Sequence, residues 1–150
     1  MFPFIVSLLV VVFGALLQTT NVFLIGAVNP NIVFPLFAII AHIHKDWAKR
    51  SIIVLVTALI LKFSPTAQWF DLVFITTSLL VIALTDYFPW KRMINSIFAT
   101  AVGTIIIGFK SFEVGTLLPE ILINVVLVIV FFFALEPIYV KENKKPKSRF

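Results

Sequence analysis

From Met1 to His44 the chain carries no Asp, Glu, Lys or Arg. A run of that length cannot serve as the surface of a water-soluble domain, and at helical rise it is long enough to traverse a hydrocarbon core of about 30 Å. The run ends on Lys45-Asp46-Trp47-Ala48-Lys49-Arg50, in which Lys45, Lys49 and Arg50 are cations. Short cationic loops are retained on the cytoplasmic side of a membrane, so this stretch also predicts how the chain is threaded.

The rest of the sequence extends the same pattern. Sixty-one per cent of its 150 residues are hydrophobic, well above the roughly half found in soluble domains, which excludes a conventional watery surface. The net charge of +5 sits in short clusters beside apolar runs instead of lining a groove or a helical face, so it reads as a topology signal and a contact for lipid headgroups, with no nucleic acid as partner. With no cysteine, the chain has no disulfide, thiolate metal site or cysteine nucleophile. The N-terminal Met1-Phe2-Pro3-Phe4 lacks a positive region, and the apolar run behind it exceeds a signal-peptide core of roughly 7 to 15 residues. That run is therefore expected to stay attached as a spanning helix.

Six apolar segments follow from hydropathy and turn chemistry. The first runs from Pro3 to Ile25 and ends in Gly26-Ala27-Val28-Asn29-Pro30-Asn31, where Asn31 suits a helix cap. The second, Asn31 to His44, has Pro35 in its first turns; the third, Ser51 to Ser64, has Ser51 as its expected N-cap. The fourth is Trp69 to Thr85, the fifth Met93 to Phe109, and the sixth Ile121 to Ile138, behind a looser connection from Lys110 to Glu120. The expected architecture is an all-α integral membrane protein: six short transmembrane helices in one bundle over residues 1–140, with a basic cytoplasmic tail at 141–150. Because the second and third segments are short for lone spans, they predict a bundle with a membrane-depth notch or a partner that covers the shortfall.

Alternating six spans places ten of the twelve Lys and Arg residues on the side of the Lys45–Arg50 stretch, and only Lys62 and Lys110 on the other. That asymmetry predicts a multi-pass protein of the bacterial inner membrane with both termini in the cytoplasm. Trp47, Tyr87, Trp90 and Tyr139 then fall at one interface and Trp69 at the other, as an aromatic belt requires.

Residues that could carry chemistry are few. His42 and His44 point about 200° apart on a helix and have no acidic partner at i+4, so they read as polar groups at a helix end and no metal is expected. Asp71 and Asp86 bracket the fourth segment near its ends and read as capping or interfacial carboxylates. Glu113, Glu120 and Glu136 form no pair at catalytic spacing. Phosphate loops, HExxH helices and GxSxG turns are missing, so neither an enzyme nor a cofactor is expected. The one patterned face is on the fifth segment, where Ser96, Ala99, Thr100, Gly103 and Thr104 recur at three- and four-residue steps. Small residues at that spacing let helices approach closely, within the bundle or against a partner.

Leu16-Leu17-Gln18 in the first helix, the Pro30-Asn31 step, six short spans with a basic cytoplasmic end, and Leu118-Pro119-Glu120 before a last helix containing Asn124 together resemble the rod shape-determining protein MreD family. The match rests on order and spacing over most of the chain; Ile52 to Phe63 departs from it in having no glycine. The resemblance implies a fold similar to the S-components of energy-coupling transporters. It also implies a non-enzymatic scaffold subunit of the cell-elongation machinery for peptidoglycan synthesis, paired with the bitopic membrane protein MreC. Candidate partner contacts under that reading are Asn29, Pro30 and Asn31, the stripe Ser96, Ala99, Thr100, Gly103 and Thr104, and the basic ends Lys49, Arg50, Lys91 and Arg92. The alternative is a small-solute-binding subunit of a transporter, for which Gln68, Thr76, Thr77, Ser78, Asn95 and Asn124 are the available lining residues.

Overall fold

The computed structural model describes residues 2–20, 30–61, 69–108 and 114–143, and every regular element in them is an α-helix. The helices are α1 (Phe2–Thr19), α2 (Val33–Ile43), α3 (Trp47–Leu61), α4 (Trp69–Tyr87), α5 (Arg92–Gly108) and α6 (Val114–Asn143). The shortest, α2, is the hub: every residue in it except His42 is buried, and it touches each of the other five helices. Its start is set locally. The Asn31 carbonyl Oδ1 accepts the N–H of Phe34 at 3.4 Å, and Pro35 sits in the first turn, where a missing N–H breaks no helical bond. At the other end the chain turns extended at His44, whose N–H still donates to Ile40 O at 2.9 Å.

Enclosure explains how so short a helix is accommodated. Its 11 residues are packed against the five other helices, most of them longer, so its ends meet protein. The notch expected from the second and third segments is therefore not a feature of α2. Helix α1 approaches it closely at Gly14, where a Cβ would lie 2.6 Å from the tip of the Leu36 side chain, Cδ1.

Helices successive in the chain run antiparallel, as contacts near their ends show. His44 Nε2 meets Ser7 Oγ across α2 and α1, Arg50 reaches Asp86 across α3 and α4, and Asn95 donates to Thr85 O across α5 and α4. Between α5 and α6, Asn124 meets Thr104 while Leu117 packs beside Gly108. The α2–α3 and α4–α5 connections consequently share one end of the bundle, together with the start of α1.

Several boundaries differ from the sequence reading, each for a local reason. Helix α1 is described to Thr19, where the Thr19 and Thr20 hydroxyls donate to the carbonyls of Leu16 and Leu17; the expected end at Ile25 lies outside the described residues. Helix α3 begins at Trp47, capped by Asp46 Oδ1 accepting the Ala48 N–H at 3.0 Å; Ser51 is an interior residue and not the N-cap. Helix α6 begins at Val114, so most of the stretch expected to be loose is helical, and Pro119 within it forgoes a single backbone bond. The same helix continues to Asn143, past the expected start of the tail, of which 144–150 lie outside the described residues.

Polar side chains are buried within the apolar core, and large apolar side chains lie on the outside. Arg50, Asn95, Ser96, Thr100 and Asn124 are at most 3% exposed, while Leu9, Phe13, Leu59, Leu122, Val126 and Phe133 are each more than half exposed. One helical stretch, Thr116–Leu135, is long and apolar enough to cross a membrane by length and composition, and only 11% of it is buried in the bundle. Pro3–Thr19, Val33–Ile43 and Arg92–Gly108 are shorter apolar helices.

Candidate functional site

The polar side chains collect where α2 ends. Helix α3 presents Arg50, Ile53, Val54 and Thr57 inward at i, i+3, i+4 and i+7, so starting the helix at Trp47 carries Arg50 into the interior. There its guanidinium is fully used. Nε donates to His44 O and Nη2 to Ala41 O, two carbonyls left over at the C-terminus of α2; Nη1 donates to Asp86 Oδ2, and Nη2 also reaches Asp86 Oδ1 at 3.3 Å. Trp47 covers the group, with the guanidinium carbon 5.4 Å from its ring centroid. Arg50 is 1% exposed whereas Asp86 keeps 45% of its side chain accessible, so the ion pair bridges interior and rim. Asp86, expected as a capping or interfacial carboxylate, thus holds α4 to α3 through Arg50.

The two histidines flank this clamp and face different helices, as their spacing requires. His42 Nε2 lies 3.1 Å from Arg92 O and 3.1 Å from Ser96 Oγ; because a carbonyl can only accept, the proton is on Nε2. His44 Nε2 pairs with Ser7 Oγ at 2.9 Å, and its ring meets Phe4 edge-on. Asn95 ties the end of α4 to α5 by donating to Thr85 O at 3.1 Å and Phe88 O at 2.7 Å. All of these cross helix boundaries, whereas the Thr57, Ser78 and Thr104 hydroxyls donate back to carbonyls four residues earlier in their own helices.

The small-residue stripe is the buried face of α5, which comprises Asn95, Ser96, Ala99, Thr100, Gly103 and Thr104. Gly103 faces Val81 of α4 and Phe34 of α2, and Thr104 Oγ1 accepts from Asn124 Nδ2 of α6 at 2.9 Å. Pro30 and Asn31 are buried as well, and Asn29 lies outside the described residues. Of the basic ends, Lys49, Lys91 and Arg92 are exposed and Arg50 is not. Arg50, Pro30, Asn31 and the stripe therefore contribute to packing within the bundle, leaving Lys49, Lys91 and Arg92 as the candidate contacts that reach its surface.

The residues available for a solute pocket are scattered. Asn95 is committed at the basic end, Thr76 is exposed, Thr77, Ser78 and Asn124 are buried, and Gln68 is outside the described residues. Among the described residues no three His, Asp or Glu side chains gather as a metal ion needs.

Asn124 gives a measurable test of the interhelical polar links. Such bonds contribute about 1 kcal/mol inside membrane bundles. Asn124→Ala should lower stability by roughly that amount plus the cavity it leaves, and Asn124→Leu should recover most of the loss, since it also removes an Oδ1 that has no hydrogen-bond partner. Thermal unfolding in a mild detergent reads both; a Leu variant as unstable as the Ala variant would show that the hydrogen bond, not the packing, matters.

Compared with family models, curated proteins and solved structures, the chain shows no match. Fold and site define a class: an all-α bundle of six helices, wrapped around a short central one, with polar links inside and apolar residues outside.

Proposed function

We propose that the chain is a six-span protein of the bacterial inner membrane, with both termini in the cytoplasm, acting as a non-enzymatic scaffold subunit of the cell-elongation machinery in the manner of the MreD family. One observation carries the membrane part. Buried Arg, Asn, Ser and Thr side chains bond mainly to backbone carbonyls in the interior while Leu, Ile, Val and Phe cover much of the outside, an arrangement that would be unstable in water and is favourable in hydrocarbon. Supporting the threading, Lys45, Lys49, Lys91 and Arg92 lie at the same end of an antiparallel bundle, where the positive-inside rule places the cytoplasm. The scaffold part rests on the sequence resemblance, and it fits an interior given over to holding helices together.

The natural absence of cysteine makes topology directly testable. Single cysteines at Asn29 and Gly115 should react with an impermeant maleimide on intact cells, and those at Trp47 and Lys145 only after the membrane is opened; the reverse pattern would overturn the threading. For the scaffold, affinity purification of the tagged full chain from mild detergent should recover an MreC-type bitopic protein, and depletion should round a rod-shaped host. Recovery of an ATPase coupling module instead would assign the chain to solute transport.

A further inference from the structure

The clamp at the end of α2 has an electrostatic by-product on the surface beside it. Because Arg50 faces inward and holds Asp86, the carboxylate's charge is matched from within the protein and does not neutralise the exposed cations around it. Those cations are Lys45 and Lys49 from the α2–α3 connection and the start of α3, and Lys91 and Arg92 from the α4–α5 connection and the start of α5. The two groups are brought to one end by the Arg50–Asp86 and His42–Arg92 links. Within the two connections, and apart from the clamped Asp86, the acidic residue beside them is Asp46, which lies 3.9 Å from Lys49 in a half-exposed pair that water screens. Trp47, Tyr87 and Trp90 at the same end are 47%, 82% and 49% exposed, a rim of amphipathic rings between the apolar belt and the cations.

We infer that this end of the bundle is a docking surface for the headgroups of anionic phospholipids, with Lys45, Lys49 and Lys91 holding phosphates and Trp47, Tyr87 and Trp90 seating against the glycerol and upper acyl region. The inference rests on the membrane reading above and adds lipid selectivity confined to one face. At headgroup depth each basic side chain attracts an anionic lipid, and an unneutralised Asp86 would repel it. The partner is defined by charge complementarity: the exposed Lys45, Lys49 and Lys91, with Asp86 matched by the buried Arg50, favour an anionic headgroup over a zwitterionic one.

Tryptophan placement supplies the assay. Trp47 and Trp90 report the basic end and Trp69, 77% exposed at the start of α4, the other. The full chain carrying Trp69→Phe, reconstituted in phosphatidylcholine vesicles, should be quenched by brominated phosphatidylglycerol more strongly than by brominated phosphatidylcholine, with a relative association constant of roughly 5 that falls towards unity in high salt. The chain carrying Trp47→Phe and Trp90→Phe should show no preference. Adding Lys45→Gln, Lys49→Gln and Lys91→Gln to the first variant should abolish selectivity while leaving quenching by brominated lipid intact; if that variant does not fold, the salt titration of the parent decides. Equal quenching by both headgroups at the basic end, equal preference at both ends, or a preference indifferent to salt would overturn the inference. Absence of quenching by either lipid would instead overturn the membrane reading beneath it.

Discussion

Replacing Arg50 with Met should lower the free energy of unfolding by on the order of 3 kcal/mol, a drop in Tm of about 10 °C in mild detergent. The effect is large because one planar group serves three acceptors. Without it, Ala41 O and His44 O at the end of the central helix lose their donors, and Asp86 loses its partner. Arg50→Lys should recover little, since an ammonium on a flexible stem cannot fork between two backbone carbonyls and a carboxylate. Asp86→Asn should cost far less, about 1 kcal/mol, because the side chain is 45% exposed and the amide oxygen can still accept from the guanidinium. If Arg50→Lys were as stable as the parent, or Asp86→Asn as damaging as Arg50→Met, a simple ion pair would explain the site and the carbonyl clamp would not.

The clamp was half legible in the sequence. Both charges were visible, and counting alternate spans puts Arg50 and Asp86 on the same side with opposite sign. What hid their contact was the start of α3. With Ser51 as the cap, Arg50 belongs to a loop and reads as a surface cation; with Asp46 as the cap, Arg50 joins the stripe of Ile53, Val54 and Thr57 and must point inward. Moving the cap from Ser51 back to Asp46 therefore converts a topology signal into a buried structural group.

The number and order of the helices followed from hydropathy and turn residues, because a charged or proline-containing connection interrupts each apolar run. The central place of α2 did not. Side chains facing lipid and side chains facing protein are equally apolar, so a helix buried on all sides gives the same composition as one exposed to hydrocarbon. Helix α5 shows the complementary case. Its inward face is made mostly of small and hydroxylated residues, which differ in size from the Ile94, Phe98, Ile105 and Ile106 side chains on its outer face; that contrast in volume marked a close-packing side and left open whether the bundle or a partner covers it.

That buried side leads to the second large effect. A methyl group at Gly103 would lie 2.6 Å from Val81 Cγ2 and 3.4 Å from Phe34 Cδ2, so Gly103→Ala should cost about 1–3 kcal/mol. Neither neighbour yields easily: Val81 is β-branched and stiff at χ1, and Phe34 is stacked on Phe74 with ring centroids 5.8 Å apart. Gly103→Leu has no room between α5, α4 and α2 and should abolish the monodisperse folded protein on size-exclusion chromatography. Trimming the obstacle gives the decisive comparison. Val81→Ala alone leaves a cavity and should destabilise, yet combined with Gly103→Ala it should restore most of what each change removes, the coupling expected of two side chains competing for one space. As a reference, Ile105→Ala, on the outward face and 43% exposed, should move stability by no more than about 0.5 kcal/mol. Additive losses in the Gly103 and Val81 pair would mean that α4 and α5 do not meet at this point, and the packing that encloses α2 would have to be drawn differently.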